Sequence, residues 1–158
     1  MAGWTSVSGK RVIMTGATSG IGLAAAEALA ARGARIAIVA RSEAKASDVV
    51  VRIEAADGIG TAVDVLLGDL SSQASVRHLA AEVLERYPRV DVLVNNAGAV
   101  NTTRRLTEDG IELTWAVNHL APFLLTTLLL DRLKESAQPV WSPRAPTPTG
   151  AHASGSTI

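Results

Sequence analysis

The stretch Arg11-Val12-Ile13-Met14-Thr15-Gly16-Ala17-Thr18-Ser19-Gly20-Ile21-Gly22-Leu23 decides how the rest of the chain is read. Val12, Ile13 and Met14 form an unbroken apolar run, the pattern of a short strand buried on both faces, and a glycine-rich turn follows at once. Ile21 to Arg32 is rich in Ala and Leu and reads as a helix, stopped by Gly33. Strand, glycine turn and helix in that order set free N–H groups and the positive end of a helix dipole where a pyrophosphate can be held. Gly16 is expected to make the sharp turn, Gly20 to let the backbone approach phosphates, and Gly22 to let helix and strand pack closely. Thr18 and Ser19 add hydroxyl donors, with Ile21 completing the contact stretch. A glycine-rich turn without a ligand is the competing reading. No Lys-Ser or Lys-Thr follows the glycines, so ATP or GTP hydrolysis on a P-loop is disfavoured.

Outward from this turn the chain alternates. Arg35 to Ala40 reads as a second strand and Glu43 to Ala56 as a helix with Gly58 beyond it. Thr61 to Leu67 is a third strand, and Ser72 to Arg86 a third helix stopped near Pro88. Asp91 to Val94 is a fourth strand, and after a loop through Arg105 a helical pattern starts near Thr107 and runs to Leu133. Right-handed crossovers then give an α/β fold, a doubly wound parallel sheet of the Rossmann type with strands ordered 3-2-1-4.

Composition agrees. Of the 158 residues 47% are hydrophobic and only 3% aromatic, which suits parallel strands and helices better than an aromatic-rich sandwich. Lys and Arg number 15, as do Asp and Glu, so no net field draws in nucleic acid, and a small molecule is the expected partner. The chain has no cysteine, and its three histidines, His78, His119 and His152, are scattered, so no metal site is expected. The polar start and the short apolar run Leu120 to Leu130, interrupted by Pro122, Thr126 and Thr127, predict no signal peptide and no membrane span, hence a cytoplasmic protein.

Four runs in order carry a family likeness. The glycine spacing of Thr15 to Gly22, Asp69-Leu70 after the third strand, Asn95-Asn96-Ala97-Gly98 after the fourth, and Trp115-Ala116-Val117-Asn118-His119-Leu120 together resemble the short-chain dehydrogenase/reductase family. The last run, with Thr107-Glu108-Asp109-Gly110 and Phe123-Leu124-Leu125-Thr126, is similar to its retinol-dehydrogenase-like branch. The resemblance covers about Ser8 to Ser136. It implies an NAD(P)-binding alcohol/carbonyl oxidoreductase in which Asp69 accepts a hydrogen bond from adenine and Asn95, Ala97 and Gly98 line the adenosine side of the cleft. Asn118 would be the active-site Asn, which holds a helix irregularity and a water of the proton relay. The bland readings are a solvated loop Asp or an N-cap near the third helix for Asp69, and a plain turn for Asn95-Asn96.

The second strand ends in Ala40-Arg41-Ser42, where an NAD-preferring enzyme usually carries an acid. Arg41 can pair with a 2′-phosphate through its planar fork and Ser42 can add a hydroxyl, which favours NADP over NAD; the competing reading is an exposed Arg at a strand end. The resemblance further implies a Ser and then Tyr-x-x-x-Lys on the following strand and helix. The one tyrosine is instead Tyr87, ahead of Pro88, and the last lysine is Lys134. Beyond about Ser136 the chain turns proline-rich, with Pro139, Pro143, Pro146 and Pro148 among Ser, Thr and Ala. Residues 1–136 are therefore read as an incomplete Rossmann domain and 137–158 as a disordered tail, with Val140 and Trp141 its only anchors. A gene truncated or shifted out of frame near Gln138 is the expectation that accounts for this. Besides an oxidoreductase lineage, the sequence leaves open a non-catalytic nucleotide-binding module, an unstable fragment, and a homo-oligomer formed through the helices of 107–135. Cofactor binding without turnover separates the first two, and size exclusion the last.

Overall fold

The computed structural model describes residues 6–56, 58 and 62–137. Strands β1 (Arg11–Thr15), β2 (Arg35–Ala40), β3 (Asp64–Leu67) and β4 (Val92–Asn95) pair in parallel in the order β3-β2-β1-β4. The expected 3-2-1-4 order is therefore the observed one. The register aligns Thr15 with both Val39 and Asn95, and Ala40 with Leu67, so all four carboxyl ends finish on one line.

Two apolar layers explain the unbroken apolar strands. Val12, Met14, Ile36 and Ile38 point to one face and pack with Leu23 and Ala26 of helix α1 (Gly20–Ala30) and Val49 and Ile53 of α2 (Glu43–Ala56). Ile13, Ala37, Val39 and Leu66 point to the other, against Val76, Leu79 and Val83 of α3 (Gln73–Arg86) and Leu125 and Leu129 of α5 (Ala121–Ala137). Each fully buried Leu, Ile or Val contributes roughly 1.5–3 kcal/mol by leaving water. β1 and β2, covered on both faces and both edges, hold the centre; β4 is an edge strand whose Val92, Leu93 and Val94 are only half-buried.

Helix ends follow their capping residues. Gly33 donates to the Ala30 carbonyl at 2.7 Å and Ala34 to Leu29 at 3.1 Å, closing the end of α1 just before β2. The Ser72 hydroxyl accepts from the Ser75 amide and starts α3. At its other end Arg132 donates to the carbonyls of Leu84 and Tyr87, covering the last carbonyls of α3 with a cation. Tyr87 packs under this end, buried, with its hydroxyl donating to Asp64 at 3.0 Å.

Two sequence expectations shift. The helical pattern does not begin near Thr107: the Gly110 amide donates to the Thr107 carbonyl, and Thr107 to Ile111, forming a tight turn closed by a bridge between Leu106 and Glu112. Thr-Glu-Asp-Gly is turn chemistry, and the helix starts only where the Glu112 carboxylate takes the amides of Thr114 and Trp115 to open α4 (Leu113–Trp115). These amide hydrogen bonds hold the Glu112 carboxyl below its ordinary range. The third strand begins at Asp64, where pairing with Ala37 begins; the expected start at Thr61 lies outside the described residues. So does the expected tail, except Ala137, which ends α5.

Burial, then the hydrogen bond and negative charge of Asp64, push the Tyr87 hydroxyl up to about 12. A raised folded pKa makes this contribution complete below the unfolded value of about 10. It is lost as pH rises from there through 12. Tyr87→Phe is expected to cost about 1 kcal/mol at pH 7, the worth of one hydrogen bond, read by urea denaturation.

Candidate cofactor site

The site is built where the strands end. Gly16 turns the chain with φ +68°, and a Cβ there would sit 2.7 Å from the backbone of Ala97. Gly22 is tighter: a Cβ would meet the Gly16 carbonyl oxygen at 2.0 Å and the Asn96 amide nitrogen at 2.3 Å. The close packing expected of it is thus with the turn after β1 and the residue that follows β4. Gly20 differs from both, with φ +54° and no atom within 4 Å of the place a Cβ would take. The backbone is open there, on the side where a phosphate would approach.

Ser19 stands at the N-cap of α1 in extended conformation, yet its hydroxyl makes no capping hydrogen bond. The Ser19 side chain thus leaves the first-turn amides, Ile21 among them, uncapped, the condition an anion-binding helix start requires. Thr18 is half-buried and Ser19 exposed, so both hydroxyls lie at the rim. The residues fit a pyrophosphate.

The Asn95–Gly98 run locks this turn to β4. Asn96 donates to the Gly16 carbonyl at 3.0 Å, and the Ala97 amide donates to the buried Thr15 hydroxyl at 3.1 Å. Asn95 reaches outward to Thr126 of α5 at 3.0 Å. Thr15 and Thr126 do not stand out in the sequence as site residues. For Thr15 the signal is nonetheless present in a threonine ending an otherwise apolar, buried strand, since a buried polar side chain needs a partner.

Asn118 lies within a π-helical turn, Ala116–Leu120, between α4 and α5. Its side chain accepts the Ala99 amide at 2.7 Å and donates to the Ala99 carbonyl at 2.8 Å. The irregular turn brings this amide against the loop after Gly98, the kind of place where single π-turns are found. Trp115 and His119 stack beside it with ring centroids 4.2 Å apart.

On the other side of β1, Arg41 is exposed directly after β2, and Asp69 follows β3 by two residues. The Gly68 amide donates to Ala40, tying the two strand ends together at 3.0 Å. One Asp69 oxygen takes both the amide and the hydroxyl of Ser71, at 2.9 and 2.8 Å, closing this exposed loop, while the N-cap of α3 is Ser72. Leu70 turns instead toward Val76 and Leu124, lining a small apolar cavity with them. The expected residues thus gather along one edge of the sheet. Among the described residues no cluster of three or more His, Cys, Asp or Glu offers a metal site.

Sheet order, glycine turn and open helix start define a Rossmann-type α/β domain. The short chain dehydrogenase family model matches residues 10–139, and the chain belongs to that family. Retinol dehydrogenase 13 of Homo sapiens is 43% identical over 132 residues, covering 84% of this chain and 40% of that protein. This likeness places the chain on the retinol-dehydrogenase-like branch. A metagenomic short-chain oxidoreductase solved in complex with NADP superposes with TM-score 0.71 at 33% identity, over 84% of this chain and 60% of that one. The NADH-dependent reductase A1-R′, solved with NAD, superposes with TM-score 0.67 at 27% identity, over 83% and 55%. The chain thus spans between 40% and 60% of the length of these relatives.

Helices α4 and α5 with the intervening turn form one helical run, Leu113–Ala137, of 25 residues and mean hydropathy up to 1.4. By length and composition this run is able to cross a membrane, which the shorter apolar stretch Leu120 to Leu130 did not suggest. In the fold it packs on α3, with Leu125 and Leu129 fully buried.

Proposed function

We propose that this chain is the nucleotide-binding part of an NADP(H)-dependent alcohol/carbonyl oxidoreductase. The observation that carries the reading is the uncapped first turn of α1 facing the open Gly20 backbone, with Arg41 at the neighbouring strand end. The glycine turn, Thr18, Ser19 and the Ile21 amide would hold the pyrophosphate. Arg41 would take the 2′-phosphate, Asp69 the adenine, and Asn95, Ala97 and Gly98 the adenosine wall. When bound, the nicotinamide supplies hydride exchange. Asn118, with both its polar ends on Ala99, is a positioning residue that fixes the floor of the cleft.

A titration with NADPH and NADH, followed by fluorescence and thermal stability, tests this. Arg41→Ala is expected to weaken NADPH about tenfold, the loss of one charge-assisted contact, and to leave NADH unchanged. Equal loss for both cofactors would refute the 2′-phosphate assignment.

A second reading, that these 158 residues by themselves bind without turnover, is favoured by Tyr87. The only tyrosine of the sequence sits at the amino end of the sheet, with its hydroxyl on Asp64. Stoichiometric NADPH binding without oxidation in the presence of small apolar carbonyl compounds would support it. We further place the protein in the cytoplasm and assign its self-association to the outer face of the helical run Leu113–Ala137, where Phe123 and Trp115 are exposed. Fractionation and size exclusion test these assignments.

A further inference from the structure

The opposite end of the sheet holds a larger cavity. It measures about 410 Å³, opens to solvent on one side, and lies where the four strands begin, with Arg11, Arg35, Asp64 and Asp91 each contributed by or beside a different strand start. This volume is within the range that accommodates small ligands, roughly 300–1,000 Å³. Arg86 and Arg89 complete the charged wall around Tyr87. Four guanidinium groups face two carboxylates, an excess of two positive charges in a chain whose net charge is zero.

The pairing inside the wall shows which cations are committed. Asp64 is held by Arg11 at 2.8 Å and Arg86 at 3.6 Å, and Arg11 lies over the Tyr87 ring at 4.6 Å. Asp91 is held by Arg89 at 2.7 Å and by Lys10 at 3.3 Å. Arg35 is exposed at the start of β2, and among the described residues it forms no ion pair. The helix ends α1 and α3 also close on this side, so part of the positive charge answers their carbonyl dipoles; Arg132 does this for α3 from outside the cavity. Arg86 is held by Glu82 as well, at 2.9 Å, and Arg89 donates to the Ser136 carbonyl at 3.1 Å, so the guanidinium of this wall without a carboxylate partner is Arg35, and a guanidinium fork recognises phosphate oxygens in pairs.

We infer that this cavity is a second ligand site, separate from the cofactor cleft, that takes a small phosphate-bearing anion. Arg35 is its recognition residue, and Arg11 and Arg89, oriented by their carboxylate partners, form its walls. Electrostatic focusing in a partly enclosed cavity strengthens such a contact relative to an open surface.

The test is a titration of the full 158-residue chain with inorganic pyrophosphate, following arginine side-chain N–H signals by NMR and thermal stability. It is run with and without saturating NADPH, so binding at the glycine turn is separated from binding here, and the outcome does not depend on whether NADPH binds. Saturable shifts of Arg35 and Arg89 signals are expected, surviving NADPH and weakened about tenfold or more by Arg35→Glu. Arg77→Glu, on an exposed face of α3 outside the cavity, is the charge control and is expected to leave binding within about twofold. Absence of saturation, loss of all binding on adding NADPH, or equal weakening by both variants would overturn the assignment.

Discussion

Gly22→Ala is expected to abolish measurable NADPH binding and to lower stability by about 3 kcal/mol, at the upper end of what overpacking costs. The methyl group would lie 2.0 Å from a backbone oxygen and 2.3 Å from the Asn96 side chain that itself holds that oxygen. The nearer neighbour is backbone, and the Asn96 amide, though the end of a side chain, is tethered to that same oxygen, so the relief must come from moving the turn, and the turn is the cradle. Gly20→Ala makes the useful contrast. No atom opposes its methyl, so only the strain of φ +54° is incurred, roughly 1–2 kcal/mol, while the group intrudes where the phosphate would sit. The two variants therefore separate stability from binding: Gly22→Ala loses both, Gly20→Ala loses mainly binding. Urea denaturation and NADPH titration of each are sufficient, and a Gly22→Ala protein with unchanged midpoint and affinity would show that the turn is not the cradle.

The parts of the fold that were readable in the sequence are those governed by local rules. Strand runs such as Val12 to Met14 and Ile36 to Val39 are apolar throughout because both faces of the sheet are covered, and that pattern predicts a parallel sheet without knowledge of any contact. The glycine turn was equally legible, because Gly16 and Gly22 answer steric demands that no other residue meets. What escaped was set by tertiary partners. Thr107 to Gly110 looked like the start of a helix when read with the helical pattern after it, yet Glu112 is the cap, and its role depends on which amides it reaches. Within the site, Asn96 was legible as part of the Asn95–Gly98 run but its partner was not, because it joins the end of β4 to Gly16 across a separation of 80 residues in sequence.

Asn118 belongs between these cases. Its identity was legible only through family likeness, while the π-helical turn that carries it and its double bond to Ala99 are matters of geometry. The same holds for the helical run from Leu113 to Ala137, whose length emerges only when α4, the π-turn and α5 are joined.

Asp91→Ala is expected to cost about 2–3 kcal/mol at pH 7, and less as the solution is acidified. The Asp91 side chain is 2% exposed, and it receives the Arg11 amide at 2.9 Å, Lys10 at 3.3 Å and Arg89 at 2.8 Å. It thus joins the start of β1 to the start of β4, the pairing that the edge strand most needs. Lys10 and Arg89, at 31% and 49% exposed, recover water when the carboxylate is removed, so most of the expected cost is the orphaned Arg11 amide and the lost clamp on β4. Burial alone would raise the Asp91 pKa, but hydrogen bonds from Arg89, the Arg11 amide and Lys10 together outweigh it and hold the carboxyl below its usual range. A lowered folded pKa fixes the sign: the contribution is complete above the unfolded value of about 3.9 and is lost as pH falls through the lower folded value. Urea denaturation of wild type and Asp91→Ala at pH 7, 5 and 3 should therefore show a gap that is constant between pH 7 and 5 and narrows by pH 3. Lys10→Ala, removing one partly exposed partner, should cost under about 1 kcal/mol at every pH. A gap that stays constant to pH 3 would mean that Asp91 acts through packing alone.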